Sequence, residues 1–300
     1  MTALFSADEI LEIAGARLAS GMMPDDQASI CIDTRLLTEG QWFLALPGQT
    51  FDGHDFIGDA FSRGAIGCIV EERTNYPIAS TSFPLLAVGD TEEALCSLAR
   101  SWRNRNQAKL CLLLKAGDQS EKLLKDLEGA EGAFDASLLL KPNVDWQEIA
   151  LALLELSSGS KALVLEYQPR NLEHINIVAT MTAPDVVLVL ADAFSHLRLQ
   201  MSAEQIMSIE QFLADCALER LGVVFVAEDT LFRQTILDAQ IEINIPKEDT
   251  ELSFAPDVDF APTDDFFRQE KIVQEGSVVI IDDRTDLVQR LMDILRVRQN

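Results

Sequence analysis

Residues 109–127, KLCLLLKAGDQSEKLLKDL, decide how the fold is read. Leu110–Leu114 is a continuous apolar run, the length and character of a strand buried on both faces of a parallel sheet. Ser120–Leu127 reads as a short helix with Leu123, Leu124 and Leu127 on one face. Between them sits a tight turn, Lys115-Ala116-Gly117-Asp118-Gln119. Strand, tight turn and helix make the architecture in which nucleotide-binding proteins cradle phosphates, because helix N-terminal amides converge there. Here the architecture comes without the Gly-Lys-Ser/Thr that phosphate binding uses.

Outward from this unit, strand and helix patterns alternate. Upstream, Ser6-x-x-Glu9 is a capping box opening an amphipathic helix. Trp42–Leu46 reads as a strand, His54–Arg63 as a helix, Ile66–Val70 and Leu85–Val88 as strands, and Asp90 with Glu93 caps a helix to about Arg105. Downstream come strands at Leu138–Leu140, Ala162–Glu166, Val186–Leu190 and Val223–Ala227. Helices are expected after Asp145, near Asn171–Met181 and over Ser202–Leu221. Such alternation implies right-handed crossovers and an α/β fold. The expected architecture is a small N-terminal α/β domain (1–84), then a central, mainly parallel P-loop-type sheet with helices on both faces (85–237). Ligands in such sheets sit beyond the carboxyl ends of strands, here the turns after Leu114, Glu166 and Leu190.

Residues 238–300 differ in character. Asp238–Asp286 holds 14 acids and 4 bases and is interrupted by Pro246, Pro256 and Pro262; a strand is expected at Ile241–Ile245, and Glu248–Asp265 reads as an exposed acidic linker. A strand at Val278–Ile281 and a helix through Leu287, Leu291 and Ile294 close the sequence. One strand and one helix cannot form a core by themselves and must dock elsewhere.

Composition sets outer bounds. Hydrophobic residues at 48% and charged residues at 24% suit a soluble chain with a substantial core. The net charge of −25 excludes nucleic acid or an anionic membrane as the main partner. No basic leader and no 18-residue apolar run is visible, so a cytoplasmic protein with no membrane span is expected. The five cysteines are scattered, without C-x-x-C, and are expected as reduced, mostly buried thiols.

Asp33-Thr34-Arg35, followed by Glu39–Phe56 (EGQWFLALPGQTFDGHDF), resembles the Mur ligase family, and most closely its MurF branch, which adds D-alanyl-D-alanine to a peptidoglycan precursor. That family has Asp-Ser-Arg, Gly-Asp-Leu-Phe-Val-Ala-Leu and Phe-Asp-Gly-His-Asp-Phe at this spacing. Weaker similarity continues through PLLAVGDTEEALCSLARSWR, through LEYQPRNLEHINIVATMTAPDVVLVLADAFSHL and into the closing strand and helix. The resemblance implies that Thr34, Arg35, Gln49, Asp52, Gly53 and His54 contact the uridine-diphosphate end of a sugar peptide. Threonine keeps the serine hydroxyl, and arginine suits bidentate phosphate recognition. The competing reading is that these residues shape loops, Asp52-Gly53 as a turn and Asp33 as a backbone partner.

The departures from the family pattern concentrate on the reaction. Against the family's Thr-Gly-x-x-Gly-Lys-Thr, a gapless alignment places Leu114, Lys115, Asp118 and Gln119 on Thr, Gly, Gly and Lys, which makes Lys115, Gly117, Asp118, Gln119 and Ser120 a degenerate nucleotide loop. Shifting the gap to use Gly117 still yields no Gly-Lys-Ser/Thr. A β-carbon stands where backbone must approach phosphate, a neutral amide replaces the lysine, and Asp118 adds negative charge. A unit charge at ~4 Å is worth roughly 1–4 kcal/mol between water and a protein surface, so ATP and magnesium binding are expected to be lost. Glu166 falls on a magnesium-binding glutamate and His196 on a family histidine, which leaves them vestigial metal candidates with no cofactor expected. The family's carbamylated lysine falls near Ile209, and no lysine lies between Lys161 and Lys247. Most of the acceptor-binding C-terminal domain has no counterpart. The resulting expectation is a catalytically inactive pseudoenzyme, a binding, scaffold or regulatory subunit with a protein partner. The alternatives are an active ATP-dependent ligase with an atypical nucleotide site and a sensor of nucleotide-sugar precursors.

Overall fold

A computed structural model describes residues 3–48, 50–72, 83–114, 137–157, 160–168, 172–189, 202, 223–227 and 278–281. The chain divides into two compact units, Met1–Gln107 with Gln147–Gly159, and Ala108–Trp146 with Ser160–Asn300.

The first unit contains α1 (Ala7–Ile13), β1 (Arg17–Ser20), β2 (Ile30–Cys31), β3 (Trp42–Leu44), a 3-10 turn (Gly53–Phe56), α2 (Ile57–Ser62), β4 (Gly67–Glu71), β5 (Leu85–Val88) and α3 (Thr91–Arg105). Ser6 opens α1 with a full capping box: its hydroxyl accepts the Glu9 N–H while the Glu9 carboxylate accepts the Ser6 N–H. Asp90 caps α3 by accepting the Glu93 N–H at 2.9 Å. The sheet runs β1-β5-β4-β3-β2, parallel except for the β1–β5 pair. Phe43, Ala45, Ile57, Ala60, Cys68, Val70 and Leu85 pack into one core against it. Trp42 on β3 pairs in register with Gly67 on β4, and any β-carbon at Gly67 would stand 2.2 Å from the indole ring. The helix α4 (Trp146–Glu155) is grouped with this unit from Gln147 onward. It is tied there by bonds from Ala3 N–H to Leu154 O at 3.0 Å and from Trp102 Nε1 to Leu156 O at 2.9 Å.

The second unit contains β6 (Lys109–Leu114), β7 (Ser137–Val144), β8 (Ser160–Tyr167), α5 (Leu172–Thr182), β9 (Val186–Val189), β10 (Val223–Ala227) and β11 (Val278–Ile281). Its six strands are all parallel in the order β11-β10-β9-β6-β8-β7. Leu110–Leu114 is buried throughout, as the apolar run requires. The chain leaves β6 toward β7 on one side and leaves β9 toward β10 on the other, so adjacent β6 and β9 flank a topological switch point. Asp185 welds the opposite edge: its carboxylate accepts the Leu110 N–H at 2.9 Å and pairs with Lys109 Nζ at 3.2 Å.

Expectation and structure differ in three places, at β5 with α3, at β7 and at β1 with β2. β5 and α3 belong to the first unit, so its boundary falls after residue 107 instead of 84: Leu85–Val88 hydrogen-bonds to β4 and β1, not to β6. β11 pairs with β10 as the outer strand of the second sheet, the docking expected of a closing strand that cannot form a core alone. β7 runs on through Pro142 to Val144. A proline is tolerated there because β7 is an edge strand whose register shifts between Lys141 and Val144. β1 and β2 were not foreseen, being short and without a distinguishing apolar pattern. The expected helix at 120–127, the strand at 241–245, the acidic linker and the closing helix lie outside the described residues, as does the helix expected over Ser202–Leu221 except for Ser202, which is in no helix or strand.

Candidate functional site

The candidate residues of the first unit gather at one edge of its sheet. β2 and β3 are neighbouring parallel strands, and Asp33-Thr34-Arg35 follows the first while Asp52-Gly53-His54 lies in the loop after the second. Both groups therefore stand beyond carboxyl strand ends, where open α/β sheets place ligands.

In the first turn, Asp33 and Arg35 form a local fork. Arg35 Nε donates to both Asp33 carboxylate oxygens at 2.9 and 3.1 Å, Nη2 donates to Oδ2 at 2.6 Å, and the Arg35 N–H donates to Oδ1 at 2.9 Å. The guanidinium holds the Asp33 carboxyl below the ordinary carboxylate range against partial burial, with a weaker pull from Arg63. The Arg35 side chain is nonetheless 84% exposed, so this pair contributes little stability and instead presents an oriented cation to solvent. Thr34 between them is buried.

In the second turn the constraints are tighter. Asp52 Oδ1 accepts the His54 N–H at 3.0 Å and stands 2.6 Å from His54 Nδ1. The Glu71 N–H on β4 donates to His54 Nε2 at 2.9 Å, and the imidazole is fully buried. Gly53 donates to Leu46 O at 2.9 Å, and a β-carbon there would lie 2.8 Å from the Leu46 backbone. Gly53 is thus needed for close backbone approach within the protein itself. Phe51, beside this turn, is 71% exposed and meets Phe56 edge to face. Gln49 lies outside the described residues. The His54–Glu71 bond spans 17 residues and gave no signal in sequence; nor did the influence of Arg63 on Asp33.

In the second unit, Glu166 is buried at the end of β8, in register with Leu113 of β6. Lys115, Gly117, Asp118, Gln119, Ser120 and His196 lie outside the described residues. Among the described residues no group of three or more His, Cys, Asp or Glu is placed to hold a metal. None of the described helices is long and apolar enough to cross a membrane. The described cysteines, 31, 68, 96 and 111, are free. Burial pushes the Cys96 and Cys111 thiols up to about 12 and Cys68 higher still, which removes them as nucleophiles. Iodoacetamide at about pH 8 is therefore expected to leave Cys68 and Cys111 unmodified in the native protein and to alkylate both after unfolding in urea. Mass mapping that finds Cys111 labelled equally fast in both states would contradict this burial.

Residues 28–103 match the family model described as the Mur ligase family, catalytic domain. Those residues form a Mur ligase family domain. The match covers β2 to β5 and nearly all of α3, the edge just described, and ends before β6. The chain is 27% identical over 171 residues to the UDP-N-acetylmuramoyl-tripeptide–D-alanyl-D-alanine ligase of Haemophilus influenzae, over 55% of this chain and 36% of that one. It is 32% identical over 174 residues to the enzyme of the same name from Synechocystis, over 57% and 37%. The matched part thus spans little more than a third of the length of these two relatives. Among solved structures, MurF from Acinetobacter baumannii superimposes with a TM-score of 0.68 at 23% identity, covering 80% of this chain and 52% of that one. MurF from Thermotoga maritima, solved with ADP, gives 0.55 at 23% identity over 72% and 48%. The Mur ligase domain is therefore MurF-like in sequence, and the likeness in fold extends into the second unit.

Proposed function

We propose that this MurF-like chain is a pseudoenzyme of the Mur ligase family. It has lost ATP and magnesium binding and acts as a binding, scaffold or regulatory subunit that recognises a UDP-linked sugar peptide, in the cytoplasm and toward peptidoglycan synthesis. One observation carries this reading. β6 ends at Leu114 beside β9, at the switch point of a parallel sheet, and the sequence that follows it reads Lys-Ala-Gly-Asp-Gln-Ser. The donor set does not fit a magnesium triphosphate: Gln119 supplies no charge in place of a lysine, and Asp118 repels. By contrast, the edge at Asp33–Arg35 keeps an exposed, oriented guanidinium, which suits a diphosphate.

The second reading, an active ligase, rests on the relatives being named as ligases. Two assays separate the readings. Titration with UDP-N-acetylmuramoyl-tripeptide is expected to show binding, weakened about tenfold or more in Arg35→Ala, as a lost charge-assisted contact implies. Incubating the protein with that precursor, D-alanyl-D-alanine and Mg-ATP is expected to release no phosphate. Equal affinity of wild type and Arg35→Ala removes the ligand reading, and steady phosphate release establishes the ligase instead.

A further inference from the structure

The bonds around His54 define its proton state. A backbone N–H can only donate, so the Glu71 N–H at 2.9 Å requires His54 Nε2 to be a bare acceptor. The ring proton of the neutral imidazole then sits on Nδ1, which donates to Asp52 Oδ1 at 2.6 Å. With the side chain fully buried and both ring nitrogens occupied by protein, the imidazole has no face or nitrogen to offer a ligand. Its two partners lie on different segments: Asp52 belongs to the loop after β3, and Glu71 ends β4. Gly53 adds a third tie, to Leu46 at the start of the same loop.

We propose that His54 is a positioning residue, not a ligand contact. In its neutral, Nδ1-protonated form it latches the loop after β3 to the end of β4 and so presets the edge on which Arg35 stands. This inference rests on the proposed recognition of a UDP-linked ligand at that edge. It assigns His54 a different job from the direct contact that the resemblance implies. Asparagine and glutamine split the latch, because an asparagine amide sits near the Nδ1 position and a glutamine amide near Nε2. His54→Asn therefore retains a donor toward Asp52, and His54→Gln retains an acceptor toward Glu71.

The test uses nitrogen-15 NMR of the full chain at about pH 8, with UDP as the probe ligand. The wild-type ring is expected to show an unprotonated Nε2, and the Glu71 amide to be protected from exchange. His54→Gln keeps that protection, while His54→Asn and His54→Leu lose it. UDP affinity is expected to fall about tenfold in His54→Leu and to recover in part in His54→Gln. A protonated Nε2, or unchanged UDP affinity in a folded His54→Leu, would overturn the latch. If wild type binds no UDP, the ligand reading fails by itself, and the latch stands or falls on the ring tautomer and the Glu71 amide. If His54→Leu does not fold, the wild-type tautomer and the His54→Gln affinity decide.

Discussion

Replacing Trp42 with alanine is expected to destabilise the first unit by about 3–5 kcal/mol, the range for deleting a large buried aromatic. The ring is fully buried, and its size dictates the residue opposite: only glycine at position 67 leaves room for it. Its Nε1 also donates to Phe5 O at 3.0 Å, tying the segment before α1 to the sheet. Trp42→Ala thus opens a cavity and removes one of two donors to Phe5 O, which keeps the Ala28 N–H at 3.0 Å. Trp42→Phe keeps most of the ring and removes that one donor, at an expected cost of about 0.5–1.5 kcal/mol. Urea unfolding, followed by exchange of the Phe43 and Cys68 amides, measures both. A shift below about 1 kcal/mol for Trp42→Ala would mean that the ring is not the keystone of this sheet.

The second large effect is expected at Asp185, where α5 hands over to β9. Asp185 N–H donates to Leu110 O at 2.9 Å while the carboxylate accepts the Leu110 N–H at the same distance, so one residue satisfies both polar groups where β6 begins. Asp185→Ala leaves the buried Leu110 N–H without an acceptor and should cost about 1–3 kcal/mol. The Lys109 pairing adds little, because that side chain is 42% exposed and water screens it. Asp185→Asn retains an amide oxygen for Leu110 and is expected to recover most of the loss. An asparagine variant as unstable as the alanine variant would show that charge, not the hydrogen bond, is what matters there.

Much of the second sheet was legible because buried parallel strands leave a plain mark. Leu110–Leu114, Val186–Val189 and Val223–Ala227 are unbroken apolar runs, and all three are strands. Local caps were equally plain, since Ser6-Glu9 and Asp90-Glu93 lie three residues apart and act within one turn. Short edge strands were not legible: β1 has the sequence Arg-Leu-Ala-Ser, and only its pairing with β5 makes it a strand. The placement of β5 in the first sheet was missed for the same reason, since a four-residue apolar strand does not say which sheet it joins. At the site, the sequence pointed to Asp52, Gly53 and His54 but could not separate ligand contact from loop shaping. That distinction depends on Glu71, on a strand 17 residues away, whose backbone engages the imidazole.

The sequence after β6, Lys115–Ser120, is expected to bind no nucleotide. Isothermal titration of the full chain with Mg-ATP tests this most directly. No saturable heat, or a Kd weaker than about 100 μM, is the predicted result. Stoichiometric binding tighter than about 100 μM would contradict the pseudoenzyme account and favour the ligase.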